Sequence, residues 1–152
     1  MIHRSTEAAF VVALALVAGC GGEVRRVVDP ATDRVLEEAS WSGVELHGEF
    51  RSWYVDGTPR AAGRWEHGVP VGVHTTWHAT GRKEQEGAWV DGVRDGSWPR
   101  WYENGMLEWS GSWAAGDKDG TWTRFDEAGT VLETEQWDHG TRVAHTRAGE
   151  SG

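Results

Sequence analysis

Glycine recurs in this chain at intervals of 24 residues, and that spacing restricts the fold more than any other feature. Gly48, Gly72, Gly96 and Gly120 form one series; Gly57, Gly81, Gly105 and Gly129 a second; Gly68, Gly92, Gly116 and Gly140 a third. Gly63, Gly87 and Gly111 make a fourth, which Glu135 breaks. Trp65, Trp89, Trp113 and Trp137 keep the period, as do Trp53, Trp77, Trp101 and Phe125. No insertion disturbs the count from residue 48 to residue 140. The 21 glycines and 11 tryptophans therefore belong to a regular repeat and not to a low-complexity segment, the other composition in which glycine exceeds its usual ~7%.

A shorter period lies within the first. Trp41, Trp53, Trp65, Trp77, Trp89, Trp101, Trp113, Phe125 and Trp137 stand 12 apart. One aromatic per half-repeat fits one strand and one turn, so each 24-residue unit reads as a β-hairpin. Helical repeats are longer, at about 33 residues or more, and interior glycines would cost a helix ~1 kcal/mol each. Asp56-Gly57 and Asn104-Gly105 are strong two-residue hairpin turn signals. With that turn in each repeat, Trp65 falls opposite Gly48, Phe50 opposite Gly63, Trp89 opposite Gly72, Trp113 opposite Gly96 and Trp98 opposite Gly111. An indole lying over a facing glycine covers bare backbone, as in aromatic rescue of sheets. In the fourth repeat Trp122 faces Glu135, which predicts a looser sheet there. The expected fold is all-β: an elongated single-layer antiparallel sheet of four stacked hairpins, opened by a half-repeat around Trp41.

The opposite face carries Trp53, Trp77, Trp101 and Phe125, with Arg51, Arg60 and Arg64 near the first. Successive hairpins set these aromatics at steps of ~10 Å. A stripe of this kind, flanked by arginines, has the composition of an interaction hot spot, so Trp53, Trp77, Trp101, Phe125, Arg51 and Arg60 are the candidate binding residues. The bland alternative is that these rings pack on neighbouring hairpins.

The start of the chain differs. Residues 8–18, AAFVVALALVA, form an apolar run too short for a ~30 Å hydrocarbon core but suited to a secretory signal. It ends in Val17-Ala18-Gly19-Cys20, which resembles a bacterial lipobox, and Cys20 is the only cysteine. The sequence thus divides into a lipoprotein signal peptide at 1–19, a lipidated Cys20 and tether at 20–40, the repeat domain at 41–143 and a flexible tail at 144–152. Residues 33–39, DRVLEEA, read as one or two helical turns capped by Asp33. The expected location is the cell envelope, lipid-anchored, in the outer membrane if the cell is Gram-negative, since Gly21 follows the cysteine in place of a retention Asp.

The net charge of −9, without a basic cluster beyond Arg25-Arg26, argues against nucleic acid and against electrostatic docking on anionic lipids. His74 and His78 share a strand face but lie ~13 Å apart by strand rise, too far to share a metal. Asp91-Gly92-x-x-Asp95-Gly96 and Asp117-Lys118-Asp119-Gly120 lack the EF-hand pattern and read as turns. No nucleophile elbow, Cys–His set or phosphate loop is present, and a single-layer sheet offers no deep cleft. The chain is expected to be non-enzymatic, with no catalytic residue, no metal site and no cofactor.

The repeat reads most clearly as GSWPRWYENGMLEWSGSWAAGDKDG, residues 96–120. It resembles bacterial MORN-repeat variants of the YwqK-type antitoxin family, with the pattern G-x-W-x-x-W/Y-Y-x-x-G followed by G-x-W-x-x-G. The other repeats substitute Phe50 and His74 for the first Trp, and His78 and Asp126 for the Tyr. The resemblance covers residues 41–143. It implies an elongated sheet serving as an interaction or scaffold module, and the antitoxin label implies neutralisation of a toxin, although toxins of such pairs usually act in the cytoplasm. The implied partner is an unidentified protein. A glycan or peptidoglycan ligand on the aromatic stripe is the alternative. Choline- and glucan-binding repeats also alternate Gly with Trp, but their tandem G-W and W-Y-Y are missing here.

Overall fold

The computed structural model describes residues 22–149. Among these the chain is wholly β, with twelve antiparallel strands in one sheet. They are β1 (Glu23–Val28), β2 (Val35–Ser42), β3 (Glu45–Trp53), β4 (Pro59–Glu66), β5 (Val69–Trp77), β6 (Lys83–Val90), β7 (Val93–Ser97), β8 (Arg100–Trp101), β9 (Leu107–Ala114), β10 (Asp117–Phe125), β11 (Val131–Asp138) and β12 (Thr141–Arg147). Spatial order follows chain order. The short β8 lies beyond the end of β7, between the same neighbours β6 and β9. Trp98-Pro99 separates β7 from β8, because a proline cannot donate to the ladder.

Within each repeat the expected register is present. Gly48 pairs with Trp65 and Phe50 with Gly63, Gly72 with Trp89 and Gly96 with Trp113; the structure adds Gly120 with Trp137. The turns that set it are not the expected ones. At Asp56-Gly57 the loop spans three residues: Gly57 N–H donates to the Tyr54 carbonyl and Tyr54 N–H to the Thr58 carbonyl. Only Gly57 has positive φ. Asp56 Oδ1 accepts from Thr58 N–H at 2.8 Å, and Asn104 does the same for Met106. These Asx contacts favour a type I turn followed by a left-handed glycine. An irregularity between Ser52 and Trp53 then restores the register. The two-residue turns with both φ positive lie at the other edge of the sheet, at His67-Gly68, Asp91-Gly92, Ala115-Gly116 and His139-Gly140. Asp91-Gly92 is thus a turn, as expected, whereas Asp95-Gly96 lie in β7 and Asp117 to Gly120 in β10, held there by the ladders to their neighbours.

Two glycine series differ in what they do. Where β4 meets β5 the pairing jumps from Ala62↔Thr75 to Arg64↔Val71, and Gly72 (φ +69°) stands in this bulge. A Cβ on Gly72 would meet nothing within 4 Å. Gly72, Gly96 and Gly120 are therefore required by the backbone, not as seats for the opposing indoles, which corrects the aromatic-rescue reading of that series. The seats are Gly63, Gly87 and Gly111. The rings of His74, Trp98 and Trp122, on the following strand, occupy the space where their Cβ atoms would be. Ala39, 2% exposed, pairs with Phe50 in the same way.

The fourth repeat is not loose. β10 and β11 pair from Gly120↔Trp137 through Phe125↔Val131. Glu135 takes the glycine's place at 8% exposure, and the residue eleven positions further on is Thr146, not an aromatic. Its carboxylate accepts from Trp137 Nε1 at 2.9 Å, Arg142 at 2.8 Å and Lys118 at 3.5 Å. Burial opposes its ionisation, but these donors outweigh it and hold the carboxyl below its usual range.

The sheet extends beyond 41–143 at both ends. Residues expected as a tether with helical turns form β1 and most of β2, and β12 runs from Thr141 in the expected repeat domain to Arg147 in the expected tail. Asp33 is not a helix cap but a left-handed turn residue (φ 56°), in a loop closed by Asp29, which accepts from Ala31 N–H and Thr32 Oγ1. The open edge of β3 supplies a ladder for residues 35–42, and that tertiary pairing overrides their helical propensity.

Candidate functional site

The sheet presents two aromatic faces of different construction. On one, Trp53, Trp77, Trp101 and Phe125 are each half-buried. No ring-to-ring contact links them to one another among the described residues. Their backbones are tied together instead. Tyr54 donates its hydroxyl to the Trp77 carbonyl at 2.7 Å, His78 Nε2 bonds the Trp101 carbonyl at 2.7 Å, and Tyr102 donates to the Phe125 carbonyl at 2.8 Å. Each bond spans one hairpin and fastens it to the next. Arg60 lines one hollow of about 550 Å³ together with Trp53, Tyr54, Val27 and Leu36. Arg51 is exposed, while Arg64 is drawn toward Glu66 at 3.5 Å and Glu49 at 4.0 Å. The candidate residues are thus aligned by the repeat, and Trp53 and Arg60 share a hollow.

The glycine-backed face is a continuous ladder. Ring centroids run Phe50–Trp65 5.2 Å, Trp65–His74 4.5 Å, His74–Trp89 5.9 Å and Trp89–Trp98 5.5 Å, and resume at Trp113–Trp122 5.3 Å. The gap between Trp98 and Trp113 is filled by the Arg94 guanidinium, 4.7 and 5.0 Å from their centroids. Lys118 fills the next gap, 4.4 Å from Trp122 and 4.6 Å from Trp137. Cations over indole faces are attracted by the ring quadrupole, so these two side chains complete the stack.

Between the two cations lies a hollow of about 160 Å³, lined by Gln85, Arg94, Trp98, Arg100, Trp109, Trp113, Lys118 and Trp122. Trp98 and Trp122 are all but buried, at 5% and 6% exposure, and their indole N–H groups donate to the Ala88 and Ser112 carbonyls. Trp109 and Trp113 stay half-exposed, and the Trp113 N–H is buried without a partner. The sequence contained a signal for this site that the stripe argument passed over. Trp109 fits none of the aromatic series, including that of Phe50, His74, Trp98 and Trp122, because its repeat equivalents are Glu37, Ala61, Gln85 and Glu133.

Elsewhere, Asp119, Asp138 and His139 bring ligand-type atoms within 4.8 Å of one another. The His139 N–H donates to Asp119 and its Nδ1 lies 2.6 Å from Asp138. That bond, above the surrounding acidic charge, raises the imidazole pKa. The repeat accounts for the contact: Asp95 accepts from Ala115 N–H and His47 from His67 N–H at the same positions. His74 and His78 are likewise absorbed by structure, over Gly63 and against the Trp101 carbonyl.

The family described as MORN repeat variant matches residues 118–139, which span β10 and β11. The chain carries a MORN repeat. Such repeats often mediate protein or membrane interaction. In the structure the matched segment is one hairpin of a sheet whose other hairpins share the spacing and register of the MORN unit. No curated protein matches the chain significantly.

Proposed function

We propose that this protein is a non-enzymatic envelope lipoprotein whose MORN-type sheet is a docking surface or scaffold for a protein partner. The carrying observation is the single-layer construction: aromatics stand half-exposed on both faces of one sheet, on a framework that fixes them at repeat spacing. Trp53, Trp77, Trp101 and Phe125 supply the anchors on one face, with Arg51 and Arg60 at its end. The YwqK-type resemblance makes neutralisation of a protein toxin one specific form of this binding. The anchor is inferred from Val17-Ala18-Gly19-Cys20 after the apolar run, and Cys20 lies outside the described residues. In a Gram-negative cell the outer membrane is the proposed location.

Two experiments test these elements separately. Mass spectrometry of the membrane fraction should find a diacylglyceryl group on an N-terminal Cys20, and Cys20→Ser should release or stall the protein. A variant that fractionates and processes as wild type removes the anchor. For the surface, a folded Trp53/Trp77/Trp101→Ala variant should lose the partner captured by wild type from envelope extract. Retention of every partner removes the stripe as the site. A second reading, glycan binding, is favoured by one specific observation, the small indole-lined hollow on the glycine-backed face.

A further inference from the structure

That hollow contains the one tryptophan that departs from the chain's own repeat. Trp109 belongs to none of the aromatic series, and Gln85 is its equivalent one repeat earlier. Arg94 and Lys118 belong with Arg142 to a basic series that follows Leu46 and Pro70. Repeat architecture explains a residue that recurs, as this basic series does; it does not explain Trp109, which occurs once at its repeat position. The repeat tolerates Ala61 where Trp109 stands, so this indole is not demanded by the fold.

We propose that the hollow binds a sugar ring bearing a carboxylate, with Trp109 as the stacking platform and Arg94 as the partner of the carboxylate. This rests on the glycan reading and is independent of the protein-binding reading of the opposite face. The volume of about 160 Å³ lies below the roughly 300–1,000 Å³ of pockets for drug-sized ligands and suits one ring-sized group. Half-exposed Trp109 offers apolar ring surface to the C–H face of a pyranose, with Lys118 and Arg124 at 5.7 and 5.6 Å from its centroid. The Arg94 guanidinium touches three indoles and makes no ion pair with a carboxylate among the described residues, so its planar fork is open to a carboxylate. Arg100, by contrast, is held by Glu84 at 3.2 Å and Glu108 at 3.1 Å. Cationic ligands are disfavoured, because Arg94 and Lys118 give the hollow positive charge of their own. A free carboxylate side chain, as in an acidic peptide, would satisfy Arg94 and leave the indoles uncovered.

The test is calorimetric titration of the full chain with trigalacturonate, a muramic acid-containing disaccharide, neutral maltotriose and triglutamate. Trp109→Ala and Arg94→Leu introduce residues that the repeat already carries at Ala61 and Leu46, and a wild-type far-UV spectrum and urea midpoint qualify each variant for the titration. One or both carboxylated sugars should bind wild type, and which one binds identifies the source of the acidic sugar. Each variant should weaken that binding on the order of tenfold or more. Equal binding of maltotriose would overturn carboxylate recognition and leave the glycan reading standing. No binding of any sugar would overturn both. Triglutamate binding as tightly as the sugars, or variants binding like wild type, would overturn the assignment of the site.

Discussion

At the scale of single residues, glycines that look alike in sequence serve different ends. Gly87 lies beneath the Trp98 indole, and Gly72 sits in open space at a left-handed bulge. Gly87→Ala should cost about 3 kcal/mol, the upper range for overpacking a tight site. In a Trp98→Ala background most of that added cost should vanish. Gly72→Ala should cost roughly 1–2 kcal/mol for its backbone conformation, whichever ring is present. Urea unfolding of the single and double variants separates the two causes. Glu135 makes a pH-dependent contribution. Its donors hold its folded pKa below the unfolded value, so the stabilisation is complete above about pH 4–5, where the unfolded carboxyl ionises, and is lost as pH falls through the folded pKa. Wild type should exceed Glu135→Gln in urea midpoint at neutral pH, and the difference should close on acidification. A difference constant with pH would show that the carboxylate charge contributes nothing.

At the scale of the element, each hairpin is marginal alone, and its ends explain how it joins its neighbours. The tyrosine clasp at Tyr54 and Tyr102 crosses one whole hairpin to reach a carbonyl. Tyr102→Phe should lower stability by about 1 kcal/mol, the net contribution of one such hydrogen bond. An unchanged urea midpoint would show that solvent serves the Phe125 carbonyl equally well. At the opposite edge Ala115 holds a left-handed conformation (φ 49°) that Asn adopts more readily than Ala. Ala115→Asn should therefore raise stability by about 0.5 kcal/mol, read as an increase in thermal or urea midpoint.

At the scale of the whole molecule, stability arises between neighbours. Strands pair in chain order, so nothing distant in sequence closes the sheet, and stacking terms add approximately as in a one-dimensional array. Trp113 lies in the interior of this array, bridged to Trp98 through Arg94 and in edge contact with Trp122. Trp113→Ala should cost ~3 kcal/mol or more, and it should decouple the two halves of the ladder. Hydrogen exchange would then show protection falling across β9 and β10 while β3 to β5 keep theirs. Uniform loss across the sheet would mean that the array unfolds as one unit.

The sequence by itself determined the repeat, the β class and the cross-strand pairs, because a strict period repeats one local solution and any error in register would recur in every copy. Gly48 opposite Trp65 and Trp122 opposite Glu135 were legible for that reason. Only the tertiary structure decided what lay between hairpins. The bulges at Gly72 and its equivalents, and the seating of the 74, 98 and 122 rings over glycines of the preceding strand, depend on inter-repeat register, which turn chemistry does not encode. The fate of residues 35–42 was likewise settled by the unpaired edge of β3 and not by their own propensity. The hollow needed both levels. Trp109 breaks the period, a signal left unread in the sequence, and its convergence with Arg94, Lys118 and Gln85 exists only once four strands lie side by side.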